Sequence, residues 1–316
     1  MKKILIARPL PEEVTSALKG CDVTVREETA PLSANEMRAA LRDFDGVMPT
    51  LGDVFSAEVF AEVPKPRCKI LANFGVGYNH IDAAAARAAG IEVTNTPGAV
   101  TDATADVAMT LMLMSARRAA EGERLVRSGA WEGWHPTQML GLHVTGKKVG
   151  LVGMGRIGQA IARRCHYGFE MQVSYFNRSA KDLDFSATRV ESLIDLATSV
   201  DILVIAVPGG GETRHLIDET VLSAMQSHAR LINIARGDVV QEAALIEALR
   251  VGKIGGAGLD VYEFEPKVPQ ALRDLENVVL LPHLGTAAHE VRVDMGLMAV
   301  ANLQAFIDGE ILPNRV

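Results

Sequence analysis

An arginine, a glutamate and a histidine each follow a short apolar run in the second half of the chain. Arg236 closes Leu231-Ile232-Asn233-Ile234-Ala235 and precedes the turn glycine Gly237. Glu265 lies in the loop after a run ending at Asp260, and His283 follows Leu280-Leu281-Pro282. If these runs are strands of an open parallel sheet, ligands bind in the crevice beyond their carboxyl ends. A guanidinium, a carboxylate and an imidazole at three such ends can grip a carboxylate substrate and move a proton. Each also has a plain structural use: Arg236 as a cap or ion pair, Glu265 as a solvated loop acid, His283 as a surface histidine.

Upstream, Gly153-Met154-Gly155-Arg156-Ile157-Gly158 follows the apolar run Val149-Gly150-Leu151-Val152 and opens into Gln159-Ala160-Ile161-Ala162. In a strand–turn–helix the first glycine permits the tight turn. The second lets a pyrophosphate approach the backbone, and the third brings the helix close to the strand. The helix N-terminus then offers its amides and dipole to the phosphates. About twenty residues on, where an acid would bind a ribose 2′-hydroxyl, the chain has Asn177-Arg178-Ser179. An arginine without that acid suits a 2′-phosphate, although a solvated turn arginine is the plain alternative. Earlier, Asn73-Phe74-Gly75-Val76-Gly77-Tyr78 could expose amides as a small anion-binding nest or be an ordinary tight turn.

These residues need rigid elements behind them. Short runs rich in β-branched residues, at 4–7, 23–25, 46–48, 70–73 and 92–94, alternate with helical stretches such as 34–42 and 83–89. A second series has strands at 149–152, 172–175, 202–207, 231–234, 257–260 and 278–281, with helices at 157–165 and 242–250. This alternation predicts two α/β units, each a parallel sheet covered by helices. The stretch 102–127 carries Val107, Leu111, Met114 and Leu125 at near-helical spacing and reads as one long helix. Its methionines, Met109, Met112 and Met114, read as core packing. A helix at 290–308 ends the pattern, and spacing does not say which unit it joins.

At 316 residues the chain exceeds what one hydrophobic core usually serves. With 39 acidic against 32 basic residues the net charge is −7, which opposes a grip on nucleic-acid phosphates. The longest run without a charge, 133–146, has 14 residues and is too short to span a membrane. The N-terminal apolar stretch stops after four residues, too early for a signal-peptide core. Cys21, Cys68 and Cys165 lack metal-ligand spacing, as do His80, His135, His143, His166, His215, His228 and His289. A soluble, cytoplasmic protein without a metal centre is expected.

The motifs together resemble those of the NAD(P)-dependent D-2-hydroxyacid dehydrogenases over nearly the whole chain. The likeness rests on Phe74 to Asp82, on Val152 to Gly158 and on Ile232-Asn233-Ile234-Ala235-Arg236-Gly237-Asp238. It extends through Gly258-Leu259-Asp260-Val261 to Glu265-Pro266 and Leu281-Pro282-His283-Leu284-Gly285. Trp131-Glu132-Gly133-Trp134 and Tyr175-Phe176-Asn177-Arg178 bring it nearest to the glyoxylate/hydroxypyruvate reductases.

The resemblance implies a Rossmann cofactor domain, residues 99–286, inserted into a flavodoxin-like substrate domain made of 1–98 and the C-terminal helix 287–316. It implies hydride transfer from NADPH, with NADH possible, to a small 2-oxo acid such as glyoxylate or hydroxypyruvate. His283 would protonate the alkoxide and Glu265 would favour the charged imidazole. Arg236, with the amides of Val76 and Gly77, would hold the carboxylate. Cofactor contacts would come from Thr104, Gly153, Gly155, Arg156, Ile157, Gly158, Asn177, Arg178, Ser179, Val207, Pro208, Thr213, Ala235, Asp260, His283 and Gly285. A homodimer is implied, with Trp134 reaching a partner's site. One departure is Ala288, where many relatives carry Thr or Ser.

Other members of the broad family keep the same triad. Phosphoglycerate and phosphite dehydrogenases are alternatives, and a dinucleotide-sensing corepressor is a non-enzymatic one. Formate dehydrogenase fits less well, because its signature has Gln where this chain has Glu265.

Overall fold

The computed structural model describes residues 1–316, which divide into two compact units, Met1–Val100 with Thr286–Val316 and Thr101–Gly285. In chain order the first segment runs β1 (Lys2–Ile6), α1 (Glu12–Thr15), β2 (Cys21–Val25), α2 (Ala34–Asp43), β3 (Gly46–Met48), α3 (Ala57–Ala61), β4 (Ile70–Ala72), α4 (Ala83–Ala88) and β5 (Glu92–Thr94). The second unit follows with α5 (Thr101–Ala116), α6 (Ala119–Arg127), β6 (Lys148–Val152), α7 (Arg156–Arg163), β7 (Gln172–Phe176), β8 (Ala187–Val190), α8 (Leu193–Ser199) and β9 (Ile202–Ile205). It continues through α9 (Glu219–Ala224), β10 (Arg230–Asn233), α10 (Glu242–Arg250), β11 (Gly256–Leu259), α11 (Gln270–Arg273) and β12 (Val278–Leu280). The chain closes with α12 (His289–Asp308).

The first unit is a five-stranded parallel sheet in the order β2-β1-β3-β4-β5. That is the flavodoxin-type doubly wound order. Ser33 caps α2 by accepting the Glu36 amide, while Glu36 reaches back to the Ser33 amide, a capping box. The C-terminal helix α12 belongs to this unit. Its Leu303 packs beside Gly46, and the Phe306 ring and carbonyl hold the Lys2 ammonium. The last residues add to β5 through the Thr94–Arg315 bridge.

The second unit has seven parallel strands ordered β12-β11-β10-β9-β6-β7-β8, the Rossmann arrangement with one further strand at the β12 edge. Both faces are covered. In β9, Ile202 and Val204 enter one core while Leu203 and Ile205 enter the other. A strand buried on both sides reads as the unbroken apolar run seen in the sequence. Met109 and Met112 lie buried in the core beside Cys165.

The stretch expected as one long helix is two. Arg118 adopts a left-handed conformation, φ 53°, and its guanidinium pairs with Glu121 in the first turn of α6. The second helix, α6, buries no side chain. Cys68 and Cys165 are buried free thiols that burial pushes up to about 12, and Cys21 is also free. No helix is long and apolar enough to cross a membrane.

Candidate active site

The reversal of strand order in the second unit falls between β6 and β9, and the glycine motif occupies the turn beyond β6. Gly153 has φ 98°, and a side chain there would press 2.6 Å from the Ala206 carbonyl beyond β9. A side chain at Gly158 would lie 2.2 Å from the Gly153 carbonyl, so both positions demand a bare backbone. Gly155 is different: open space lies where its side chain would be, at the N-cap of α7. Two glycines thus close the turn and one keeps a path open to the helix N-terminus, headed by Arg156 and Ile157. That cradle fits a pyrophosphate.

Asn177 follows β7, and its Oδ1 accepts the Met154 amide at 3.2 Å while its Nδ2 donates to the Ser179 carbonyl at 2.8 Å. The side chain therefore braces the glycine turn from the position an acid would hold. Arg178 stands 89% exposed and pairs with Glu212 at 3.2 Å. Val207 and Pro208 follow β9, and Thr213 Oγ1 donates to the Pro208 carbonyl at 2.7 Å.

At the carboxyl ends of β11 and β12, Asp260 is buried and accepts the amides of Leu284 and Gly285 at 2.6 and 2.8 Å. Burial pushes its carboxyl above the ordinary range, against the pull of those amides and of the His283 charge. Thr104 donates to the Gly285 carbonyl at 3.1 Å. Thr104, Asp260 and Gly285 thus form one bonded group that fixes the chain directly after His283.

His283 has φ 58°, a backbone that side-chain-bearing residues seldom adopt and that concentrates at functional sites. Its Nδ1 lies 2.9 Å from Glu265 Oε2, the two side chains being 30% and 32% exposed. Burial opposes ionisation of Glu265. The hydrogen bond and charge of His283, the Tyr262 amide and the Arg236 charge outweigh it and hold the carboxyl below its usual range. Glu265 therefore remains an anion beside the imidazole, leaving the imidazole's Nε2 for a reacting group.

Arg236 is half-buried, and burial lowers its guanidinium against the charges of Glu265 and Asp238. Its Nη1 donates to the Ala235 carbonyl at 2.7 Å. Two residues to which the sequence assigns no role, Asn233 and Tyr262, hold this constellation. Asn233 accepts the Ala235 amide and donates to the Arg236 carbonyl at 3.0 Å each, shaping the loop after β10. Tyr262 gives its amide to Glu265 at 3.0 Å and its hydroxyl to the Leu281 carbonyl at 2.8 Å, tying the Glu265 loop to the end of β12. Their spacing, three before Arg236 and three before Glu265, was the available signal.

Val76 and Gly77 belong to the first unit, in the loop after β4, where Asn73 donates to the Gly75 and Gly77 carbonyls and Asn95 to that of Val76. Trp134 is 79% exposed on the arm after α6.

The family model for the NAD binding domain of D-isomer specific 2-hydroxyacid dehydrogenases matches residues 109–285. The chain belongs to that family. A relative in Thermococcus kodakarensis, named glyoxylate reductase, is 44% identical to this dehydrogenase over 99% of its chain and 96% of the relative's. Among solved structures, a protein of Thermus thermophilus is 40% identical with a TM-score of 0.92, covering 99% of both chains. The NADPH-dependent glyoxylate/hydroxypyruvate reductase of Sinorhizobium meliloti, solved with NADP and malonate, is 36% identical with a TM-score of 0.89. The match covers 100% of this dehydrogenase and 96% of that chain.

Proposed function

We propose that this dehydrogenase reduces glyoxylate and hydroxypyruvate to their 2-hydroxy acids, with NADPH preferred over NADH. The observation that carries the chemistry is the His283–Glu265 pair, 2.9 Å apart, on a backbone held in a left-handed conformation. Held at the glycine turn and the start of α7, a reduced nicotinamide cofactor would supply the hydride that the carbonyl carbon of the 2-oxo acid accepts. His283 gives a proton from Nε2 to the forming alkoxide, and Glu265 stabilises the imidazolium from the other side of the ring. Arg236 grips the carboxylate and carbonyl through charge-assisted bonds that orient the reacting carbon. We assign the amides of Val76 and Gly77 to the substrate's carboxylate as well.

On this reading residues 99–286 are the cofactor domain, and residues 1–98 with 287–316 are the substrate domain. The cradle of Gly153, Gly155 and Gly158 takes the pyrophosphate, with Arg156 and Ile157 at the helix start. Asn177, Arg178 and Ser179 meet the adenosine 2′-phosphate, and no acid at the end of β7 repels it. Thr104, Val207, Pro208, Thr213, Ala235, Asp260 and Gly285 would complete the cofactor contacts, and Asp260 would hold the nicotinamide carboxamide. Malonate and NADP in the Sinorhizobium reductase are a small dicarboxylate and a 2′-phosphorylated cofactor, in keeping with this assignment.

The exposed apolar side chains Val126, Trp131, Trp134 and Leu140 support a homodimer formed through α6 and the arm after it, with Trp134 serving the partner's pocket. Three free cysteines suit a reducing, cytoplasmic setting. Initial rates over a panel of 2-oxo acids with both reduced cofactors test the substrate assignment. Glyoxylate and hydroxypyruvate should lead. Much higher kcat/KM with phenylpyruvate or 2-oxoisocaproate would overturn it.

A further inference from the structure

Three loops leave the carboxyl ends of β9, β10 and β11, and a cluster of ionisable side chains outside the catalytic constellation joins all three. From the β9 loop come Arg214 and His215; the start of α10 supplies Glu242, and the β11 loop supplies Glu263. The Glu263 side chain is 8% exposed, and its Oε1 lies 2.7 Å from His215 Nε2 and 3.5 Å from Arg214. Its Oε2 accepts the Glu242 amide at 3.2 Å, while Glu242 Oε2 accepts the Glu263 amide at 3.3 Å. The two glutamates are thus bonded reciprocally across the loops.

His215 takes up this position on a left-handed backbone, φ 51°, and its amide donates to the Asp238 carbonyl at 2.8 Å. Ile217 and Gln241 continue that pairing, so the β9 loop is laced to the segment just after Arg236. Gly237 sits against the Tyr262 carbonyl so closely that a side chain would fall 1.8 Å from the Tyr262 carbonyl carbon. The Arg236 loop and the Glu265 loop therefore touch backbone to backbone at Gly237, and Glu263 lies two residues before Glu265.

We infer that His215, Glu242 and Glu263 are positioning residues that set the placement of Glu265 relative to Arg236, an inference that rests on the catalytic reading of Arg236, Glu265 and His283. None of the three touches substrate in this account. They act by fixing the loop from which Glu265 reaches His283. Released, the loop lets Glu265 drift from the imidazole and loosens the Arg236 grip. Misplacement on the scale of an ångström lowers the rate by roughly a hundredfold.

The test is the pH dependence of kcat/KM for glyoxylate reduction in five forms of the full-length protein. These are the wild type, Glu263→Ala, His215→Asn, Glu265→Gln and the double variant Glu263→Ala/Glu265→Gln. Each is assayed at a temperature where circular dichroism shows it folded. Asn tolerates the left-handed backbone, so His215→Asn carries the decision if Glu263→Ala does not fold. Glu263→Ala and His215→Asn should move the alkaline limb to lower pH and reduce kcat/KM roughly ten- to hundredfold, with NADPH affinity by fluorescence unchanged. On the Glu265→Gln background, Glu263→Ala should move the limb no further. A wild-type limb and KM in folded Glu263→Ala or His215→Asn, whatever the loss in Tm, would overturn the inference. So would an equal limb shift on the Glu265→Gln background. A wild-type limb in Glu265→Gln itself would remove the catalytic reading and this inference together.

Discussion

Arg236 and Arg178 stand at opposite kinds of place in the same Rossmann unit. Arg236 is half-buried, and its loop is shaped by both ends of the Asn233 amide and pressed against the Glu265 loop at Gly237. Arg178 is 89% exposed and its partner Glu212 is 87% exposed. Water and salt screen a pair like that, and long side chains rearrange at little cost. On the proposed reading the catalytic end is therefore arranged in advance, whereas the adenosine end is free to adapt to what binds. Substitutions at the first should damage rate, and those at the second should only alter preference.

The sharpest way to break this contrast is Arg236→Ala. Two charge-assisted bonds to a substrate carboxylate, each worth about 1.5–3 kcal/mol, predict a fall in kcat/KM of roughly 10²- to 10⁴-fold, with both KM and kcat affected. Steady-state kinetics with glyoxylate measures it; a change confined to KM would make Arg236 a binding residue only.

Glu265→Gln comes next. The carboxyl is held below its ordinary value of 4.5, so the anion is present at neutral pH and is lost only as pH falls through that lowered value. Reduction needs the protonated imidazole, which loses its counter-charge in the variant. The alkaline limb of kcat/KM should then move to lower pH, with roughly a tenfold or greater loss near neutrality. A pH–rate profile shows the direction.

At the adenosine end, Arg178→Ala should lower kcat/KM for NADPH roughly ten- to hundredfold and leave NADH unaffected. An unchanged cofactor ratio would return Arg178 to the solvent. The smallest effect is expected from Glu212→Gln, which frees Arg178 from its surface partner. NADPH should then bind a few-fold tighter at low salt, with the gain fading as ionic strength rises.

The same division explains what the sequence disclosed. Strands buried on both faces, such as Ile202–Ile205, stand out as apolar runs, and glycines forced by close approach, Gly153 and Gly158, stand out by spacing. The edge strand Ala187–Val190 does not, because Thr188 and Arg189 interrupt any apolar run. The break between Thr101–Ala116 and Ala119–Arg127 is also hidden. Arginine is a good helix former, so Arg117 and Arg118 carry no stop signal, and the left-handed turn is held by the Arg118–Glu121 pair. Arg236 and His283 were legible because each follows closely on a strand, and Glu265 because it lies in the loop after one. The residues that hold them, Asn233, Tyr262, His215 and Glu263, act through contacts that only the folded chain makes.

The proton donor is the centre of the account, and His283→Ala tests it most directly through kcat for glyoxylate reduction at saturating NADPH. A positioned acid is worth roughly 10²- to 10⁴-fold in rate, so kcat should fall by that factor while NADPH affinity is retained. An unchanged kcat in the folded variant would contradict the assignment of His283 as the group that protonates the alkoxide.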